Sequence, residues 1–232
     1  MSLGEDYRNL SKSETDQLKV NGCVCNDWTK IMVKEGFDPS RCINVTFSGE
    51  NKLGSFSHAF TDEAGITYKC GIYNATIHNC TIGSDSLISN IGDYIANYHI
   101  DEKVIIRNCG KLNTEGTSSF GNGTEVAVLN ETGGRSVKIW DRLSAHEAYI
   151  IALYRHRISA VKKIEEMVSE YSRSVSSDIG YIGYGSRIIS CQNIINVKIG
   201  PYSQIEGVIS LHEGSVNSCR EDPVFIGPGV IM

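Results

Sequence analysis

A large side chain returns at every sixth position across Ile82, Ile88, Tyr94, Ile100 and Ile106. The slot two residues before each holds Cys80, Ser86, Gly92, Tyr98 and Val104, most of them small. Four segments share one formula: Ile82-Gly83-Ser84-Asp85-Ser86, Ile182-Gly183-Tyr184-Gly185-Ser186, Ile199-Gly200-Pro201-Tyr202-Ser203 and Ile226-Gly227-Pro228-Gly229-Val230. A β-sandwich would instead alternate with period two and carry turn signals every 8 to 12 residues, or roughly so. The six-residue period fits a triangular parallel β-helix. Each wall takes about six residues, the aliphatic one points inward, the small one shares the interior near a corner, and glycine permits the tight turn. Every coil then leaves strand edges for the next to pair, and the stack needs caps.

Composition agrees. Isoleucine outnumbers leucine 28 to 10, which favours a β-branched sheet core over a helix bundle. Gly is abundant at 23 while Pro numbers only 4, so the glycines belong to ordered structure rather than a Pro/Gly linker. With 22 basic and 27 acidic side chains, a net charge of −5 and no basic run, the chain is not built for nucleic acid or an anionic membrane surface. The longest apolar run, Ala148 to Tyr154, is far short of a bilayer span, and a cytoplasmic location is expected. The 8 cysteines read as reduced, mostly packing side chains, and Cys23-Val24-Cys25 lacks the partners of a zinc site, so no metal is expected.

The pattern divides the chain. Residues 1–38 read as an N-terminal helical cap, with a capping box at Ser11–Glu14, a stop at Asn21-Gly22 and a second helix from Asn26 to about Lys34. Residues 39–115 and 179–232 carry the repeat, which is still running at Met232 and so predicts a longer chain or stacking on another one. Residues 116–178 are an insertion. Gly133-Gly134-Arg135 reads as a hairpin turn between Val126–Leu129 and Val137–Ile139, and a capping box at Ser144–Glu147 opens a helix of roughly 25 residues whose apolar first half must be covered.

The Ile-Gly-x-x-Ser/Val repeats resemble the left-handed parallel β-helix of the hexapeptide acyltransferase superfamily. The segment Gly121 to Arg157 also resembles a large group of longer Bacteroidetes proteins. The superfamily resemblance implies a trimer that transfers an acyl group from acyl-CoA or acyl carrier protein to a sugar or nucleotide-sugar acceptor. His78-Asn79-Cys80-Thr81-Ile82-Gly83 is similar to the His-Asp-Cys-Thr-Val-Gly segment that holds the catalytic histidine in the acyl carrier protein-dependent branch, with Asn79 in place of Asp. A second reading is a non-catalytic assembly or regulatory module related to UDP-N-acetylglucosamine pyrophosphorylase-type enzymes, many of which carry such a domain.

If Cys80 and Ile82 point inward, His78 stands at a corner within reach of a ligand. An imidazole titrating near neutrality suits removal of a proton from an acceptor hydroxyl or amine as it attacks a thioester. His78 is therefore the candidate base, with Asn79 beside it as a substrate contact. Arg155 and Arg157 flank His156 and supply charge-assisted hydrogen bonds suited to a phosphate or carboxylate, or pair with acids such as Asp141 or Glu147. His99 faces outward, and His58 and His212 sit in excursions from the repeat. Gly121-Asn122-Gly123-Thr124 is better read as a turn than as a nucleotide-phosphate loop.

Overall fold

A computed structural model describes residues 7–127 and 136–232. The architecture is mainly β and solenoid-like, with an N-terminal helix α1 (Lys12–Val20) and inserted helices α2 (Ala145–Leu153) and α3 (Ile158–Val175). Three stacks of parallel strands account for nearly all pairings. In the first, Ile88 pairs with Ile72 sixteen residues earlier and with Ile106 eighteen residues later. The second runs through Ile77, Ile95, Leu112, Ile194 and Leu211. The third runs through Leu53, Ile82, Ile100, Ile182 and Ile199. These thirteen aliphatic side chains belong to one continuous core, with Ile72, Ile88, Ile106, Ile77, Ile82 and Ile100 all at 0% exposure. The period thus measures a coil of three strands whose inward residues stack rung on rung.

Two slots depart from the six-residue count. Tyr94 is only half-buried, and Ile95 at 0% exposure takes the inner position, so the spacing runs seven from Ile88 and five to Ile100. Gly92 is correspondingly exposed rather than inside. Cys80, Ser86, Tyr98 and Val104 are buried as the pattern requires.

The corners correct the role given to glycine. The left-handed backbone that turns the chain from one strand stack to the next is supplied largely by asparagine: Asn44, Asn74, Asn79, Asn90, Asn97, Asn108 and Asn196 all have φ between 49° and 57°. Asparagine adopts this region more readily than other side chains. Within the shared formula Gly185 and Gly229 do turn the chain, with φ 68° and 79°, whereas Gly83 and Gly183, next to the isoleucine, serve close approach. A Cβ on Gly83 would lie 2.5 Å from the backbone of Asp101 and Glu102, and one on Gly183 2.5 Å from Pro201 N. The serine that ends the formula is fully buried at Ser86, Ser186 and Ser203, and each hydroxyl donates to a backbone carbonyl at 2.8–3.0 Å.

At the N-terminus, Ser11 and Glu14 form the expected reciprocal cap and Gly22 takes φ 77° after α1. The helix expected from Asn26 does not form. Trp28–Lys30 is a single 3-10 turn and Ile31–Lys34 is a strand, paired in parallel with Asn51–Leu53 and in antiparallel with Tyr7–Asn9. Ile31 and Val33 face the core on alternate positions, so burial against the next rung decides for strand.

The insertion leaves after Asn113, and Ile106 nevertheless pairs with Ile188 in unbroken register. Glu125–Ala127 and Ser136–Lys138 form an antiparallel ribbon, while the turn at Gly133-Gly134-Arg135 lies outside the described residues. The one long helix expected from Ser144 is two. The chain breaks at Tyr154–Arg157, and α3 starts without a side-chain cap. Ile151 and Ala152 of α2 pack with Val137 and Val161, but Tyr149 and Leu153 stay exposed, so α2 is covered on one side only. None of the described helices is long and apolar enough to cross a membrane.

Candidate functional site

The corner between the second and third strand stacks builds a site around His78. The strand Gly71–His78 ends there, and Gly49, Asn79 and Asn97 stack on one another with φ of 65°, 49° and 57°. His78 is half-buried. Its Nδ1 lies 3.0 Å from Ser48 Oγ, and Asn79 Nδ2 donates to its Nε2 at 3.0 Å. An amide N–H at Nε2 requires a lone pair there, so the ring proton sits on Nδ1 and is donated to Ser48. Asn79 is itself fixed, because its Oδ1 accepts from the Glu50 N–H at 2.9 Å and its amide also donates to Asn97 Oδ1 at 3.3 Å. Gly49 makes room for the group: a Cβ there would lie 2.0 Å from Asn79 Oδ1 and 3.2 Å from His78 Cε1.

Asn79 lines an open groove of about 900 Å³ along the third strand stack, together with Lys30, Glu50, Lys52 and Thr81. Gly116, Asp178 and Ile179, at the two ends of the insertion, form its far wall. The groove therefore offers both cations and carboxylates, while His78 is not among its lining residues and meets it through Asn79. Cys80, the next residue but one after His78, points into the core, where burial pushes its thiol up to about 12 and keeps it protonated.

Arg155 and Arg157 are not brought to this groove. Arg155 pairs with Glu165 at 3.7 Å and donates to the Ser136 carbonyl, tying the break between α2 and α3 to the ribbon. Arg157 is exposed at the start of α3. Neither is among the residues lining the groove around Asn79.

His99 does face outward on the third strand stack, stacked on Tyr181 at 5.7 Å between centroids, and desolvation holds its pKa below the usual histidine value. The sequence reading passed over His58, whose Nδ1 lies 2.7 Å from Asp85 Oδ2. Asp85 stands within the Ile-Gly-x-x-Ser formula and His58 in the excursion, 27 residues apart, with no spacing that links them. Among the described residues, no group of three or more His, Cys, Asp or Glu side chains is placed to hold a metal.

Residues 7–232 match a family described as a domain of unknown function, DUF4954. An uncharacterized protein of Treponema pallidum (strain Nichols) is 30% identical over 235 residues, covering 97% of this chain and 32% of that protein. The chain thus spans about a third of the length of that relative. With the match extending over nearly all of its residues, the chain belongs to the DUF4954 family.

Proposed function

We propose that the stacked coils are a left-handed parallel β-helix of hexapeptide rungs that transfers an acyl group from acyl-CoA or acyl carrier protein to a hydroxyl or amine of a sugar or nucleotide sugar. The observation that carries this reading is the imidazole of His78, hydrogen-bonded to Ser48 and to Asn79, with Asn79 lining a groove large enough for such an acceptor. The acceptor O–H or N–H displaces the Asn79 amide from Nε2 and gives its proton to that nitrogen as its own O or N bonds to the thioester carbon. Collapse of the tetrahedral intermediate breaks the C–S bond, and the imidazolium returns the proton to the departing thiolate. Lys30 and Lys52 supply charge for the phosphates of a nucleotide sugar. Arg155 and Arg157 enter this scheme as phosphate contacts donated by a neighbouring copy, in a trimeric assembly located in the cytoplasm.

A second reading keeps the fold and drops the chemistry: an assembly module related to UDP-N-acetylglucosamine pyrophosphorylase-type enzymes. It is favoured by the hydrogen bonds that occupy both ring nitrogens of His78 and make Asn79 part of the corner. Calorimetry with acetyl-CoA and thiol-release assays across a panel of acyl donors separate the two. The transfer reading expects saturable turnover that falls about 100-fold in His78→Ala, the usual scale for losing a general base. No heat and no thiol release with any donor leaves the assembly reading standing.

A further inference from the structure

A different corner of the solenoid carries a carboxylate where asparagine would serve the backbone equally well. Asp85 turns the chain with φ 55°, within the range of the asparagine corners. What the aspartate adds is charge and a second strong acceptor. Oδ1 accepts the backbone N–H of Ser57 at 2.9 Å and of His58 at 3.1 Å, and Oδ2 accepts His58 Nδ1–H at 2.7 Å. Burial alone would raise the Asp85 carboxyl, but these donors outweigh it and hold the group below the ordinary carboxylate range. In the neutral ring an ionised Asp85 places the proton on Nδ1, which also lies 3.1 Å from Ser57 Oγ, and leaves the lone pair on Nε2. That nitrogen belongs to a side chain 69% exposed, whereas Asp85 is only 14% exposed beneath it.

The imidazole opens on a pocket of about 270 Å³, bounded by Phe60, Ile105, Cys70 and Lys103, whose ammonium lies over the Tyr184 ring at 5.6 Å. The walls are braced. Phe60 stacks on Tyr68 at 6.4 Å and carries the Arg187 guanidinium over its ring at 4.8 Å, while Arg107 lies over Tyr68 at 3.7 Å. None of these residues lines the groove at Asn79.

We propose that His58, positioned by Asp85, is a second general-base site that hydrolyses small carboxylic esters, independent of transfer chemistry at His78. The apolar walls take the acyl group, and the Lys103 ammonium turns from the Tyr184 ring to the carbonyl oxygen. His58 Nε2 removes a proton from water as the water oxygen bonds to the carbonyl carbon, and the displaced electron pair collects on the carbonyl oxygen beside Lys103. Return of that pair breaks the ester C–O bond. The alcohol or phenol leaves with the proton held by the imidazolium, so ester and water become acid and alcohol.

The test is multiple-turnover release of 4-nitrophenol from 4-nitrophenyl acetate by the chain, against buffer and equimolar imidazole. Saturable turnover is expected, with His58→Gln lowering kcat about 100-fold and His212→Ala, which alters another exposed histidine, leaving it unchanged. Asp85→Asn keeps a residue suited to the corner but offers N–H to Nδ1 and so inverts the tautomer. Its kcat should fall at least about 10-fold with KM unmoved, as expected for a lost general base, and Asp85→Glu should restore part of it. Turnover no faster than imidazole, a single acetylation without turnover, or an unchanged kcat in His58→Gln overturns the proposal. Because the exposed His58 variant decides the matter, misfolding of an Asp85 variant does not shelter it. The assay contains no thioester, so its failure leaves the His78 reading intact, and failure of thioester turnover leaves this one intact.

Discussion

Gly180 and Tyr98 face each other across one rung, and a Cβ on Gly180 would lie 2.4 Å from Tyr98 Cε1 and 2.5 Å from Thr114 Oγ1. Tyr98 is fully buried and its hydroxyl donates to the Val197 carbonyl at 2.9 Å, so it cannot swing aside without stranding a polar group. Gly180→Ala should therefore cost about 1–3 kcal/mol, measured by urea denaturation, and Tyr98→Leu in the same chain should recover part of it. Glu14 gives a prediction with a pH sign. Its hydrogen-bonded pairing with Arg8 lowers its pKa from 4.5 to about 2, so the stabilisation is complete above pH 4.5 and is lost as pH falls toward 2. The melting temperatures of Glu14→Gln and the parent chain should differ at pH 7 and converge by about pH 2, by a small amount because Arg8 is 38% exposed. Residues differed in how visible they were beforehand. Ile82, Ile88 and Ile100 announce the core by spacing, but choosing Ile95 over Tyr94 requires knowing that one strand is reached by a seven-residue step. His58 and Asp85 were invisible as a pair because only the excursion, folded against the corner, brings them together.

Among elements, the corner between the first and second strand stacks is a column of side chains as well as a series of turns. Asn44 Nδ2 donates to Asn74 Oδ1 at 3.0 Å, Asn74 to Asn90 at 2.9 Å and Asn90 to Asn108 at 3.1 Å. Backbone conformation and side-chain bonding can be separated here. Asn90→Gly keeps the left-handed turn and loses only the amide contacts, whereas Asn90→Ala loses both, so thermal melts should rank alanine below glycine by about 1–2 kcal/mol. Helix starts were legible because a capping box is local: Ser11–Glu14 and Ser144–Glu147 both close as their spacing implies. Ile31–Lys34 was not, since apolar residues at alternate positions within a short run suit helix or strand until a neighbouring rung selects one. The break at Tyr154–Arg157 carries no proline or glycine to signal it; Arg155 bridges it by reaching Ser136 and Glu165.

For the whole molecule, each rung touches chiefly the rungs above and below, so stability should vary along the stack and across it. Hydrogen–deuterium exchange should find the amides around Ile88, Ile106 and Ile188 most protected, because they lie in interior rungs with partners on both sides. The ribbon of Glu125–Ala127 with Ser136–Lys138 and the hairpin of Ala59–Thr61 with Thr67–Lys69 should exchange far sooner, having one partner strand each. Equal protection throughout would contradict a rung-by-rung architecture. The general plan was readable because a repeat states its geometry many times over; the groove was not, since its wall comes from Gly116, Asp178 and Ile179, where an interruption meets the repeat.

The seam between Ile106 and Ile188 has one more consequence. Two strands 82 positions apart in the chain lie as close as any adjacent pair, and Ser118 and Ser177 bridge the base of what is looped out. The looped-out segment is also tied to the tower behind it, since Ser118 donates to Glu213 at 2.8 Å and Ser215 donates to the Phe120 carbonyl at 2.8 Å. An appendage of another size hung from the same seam would replace those contacts and rewrite the edge of the groove with them.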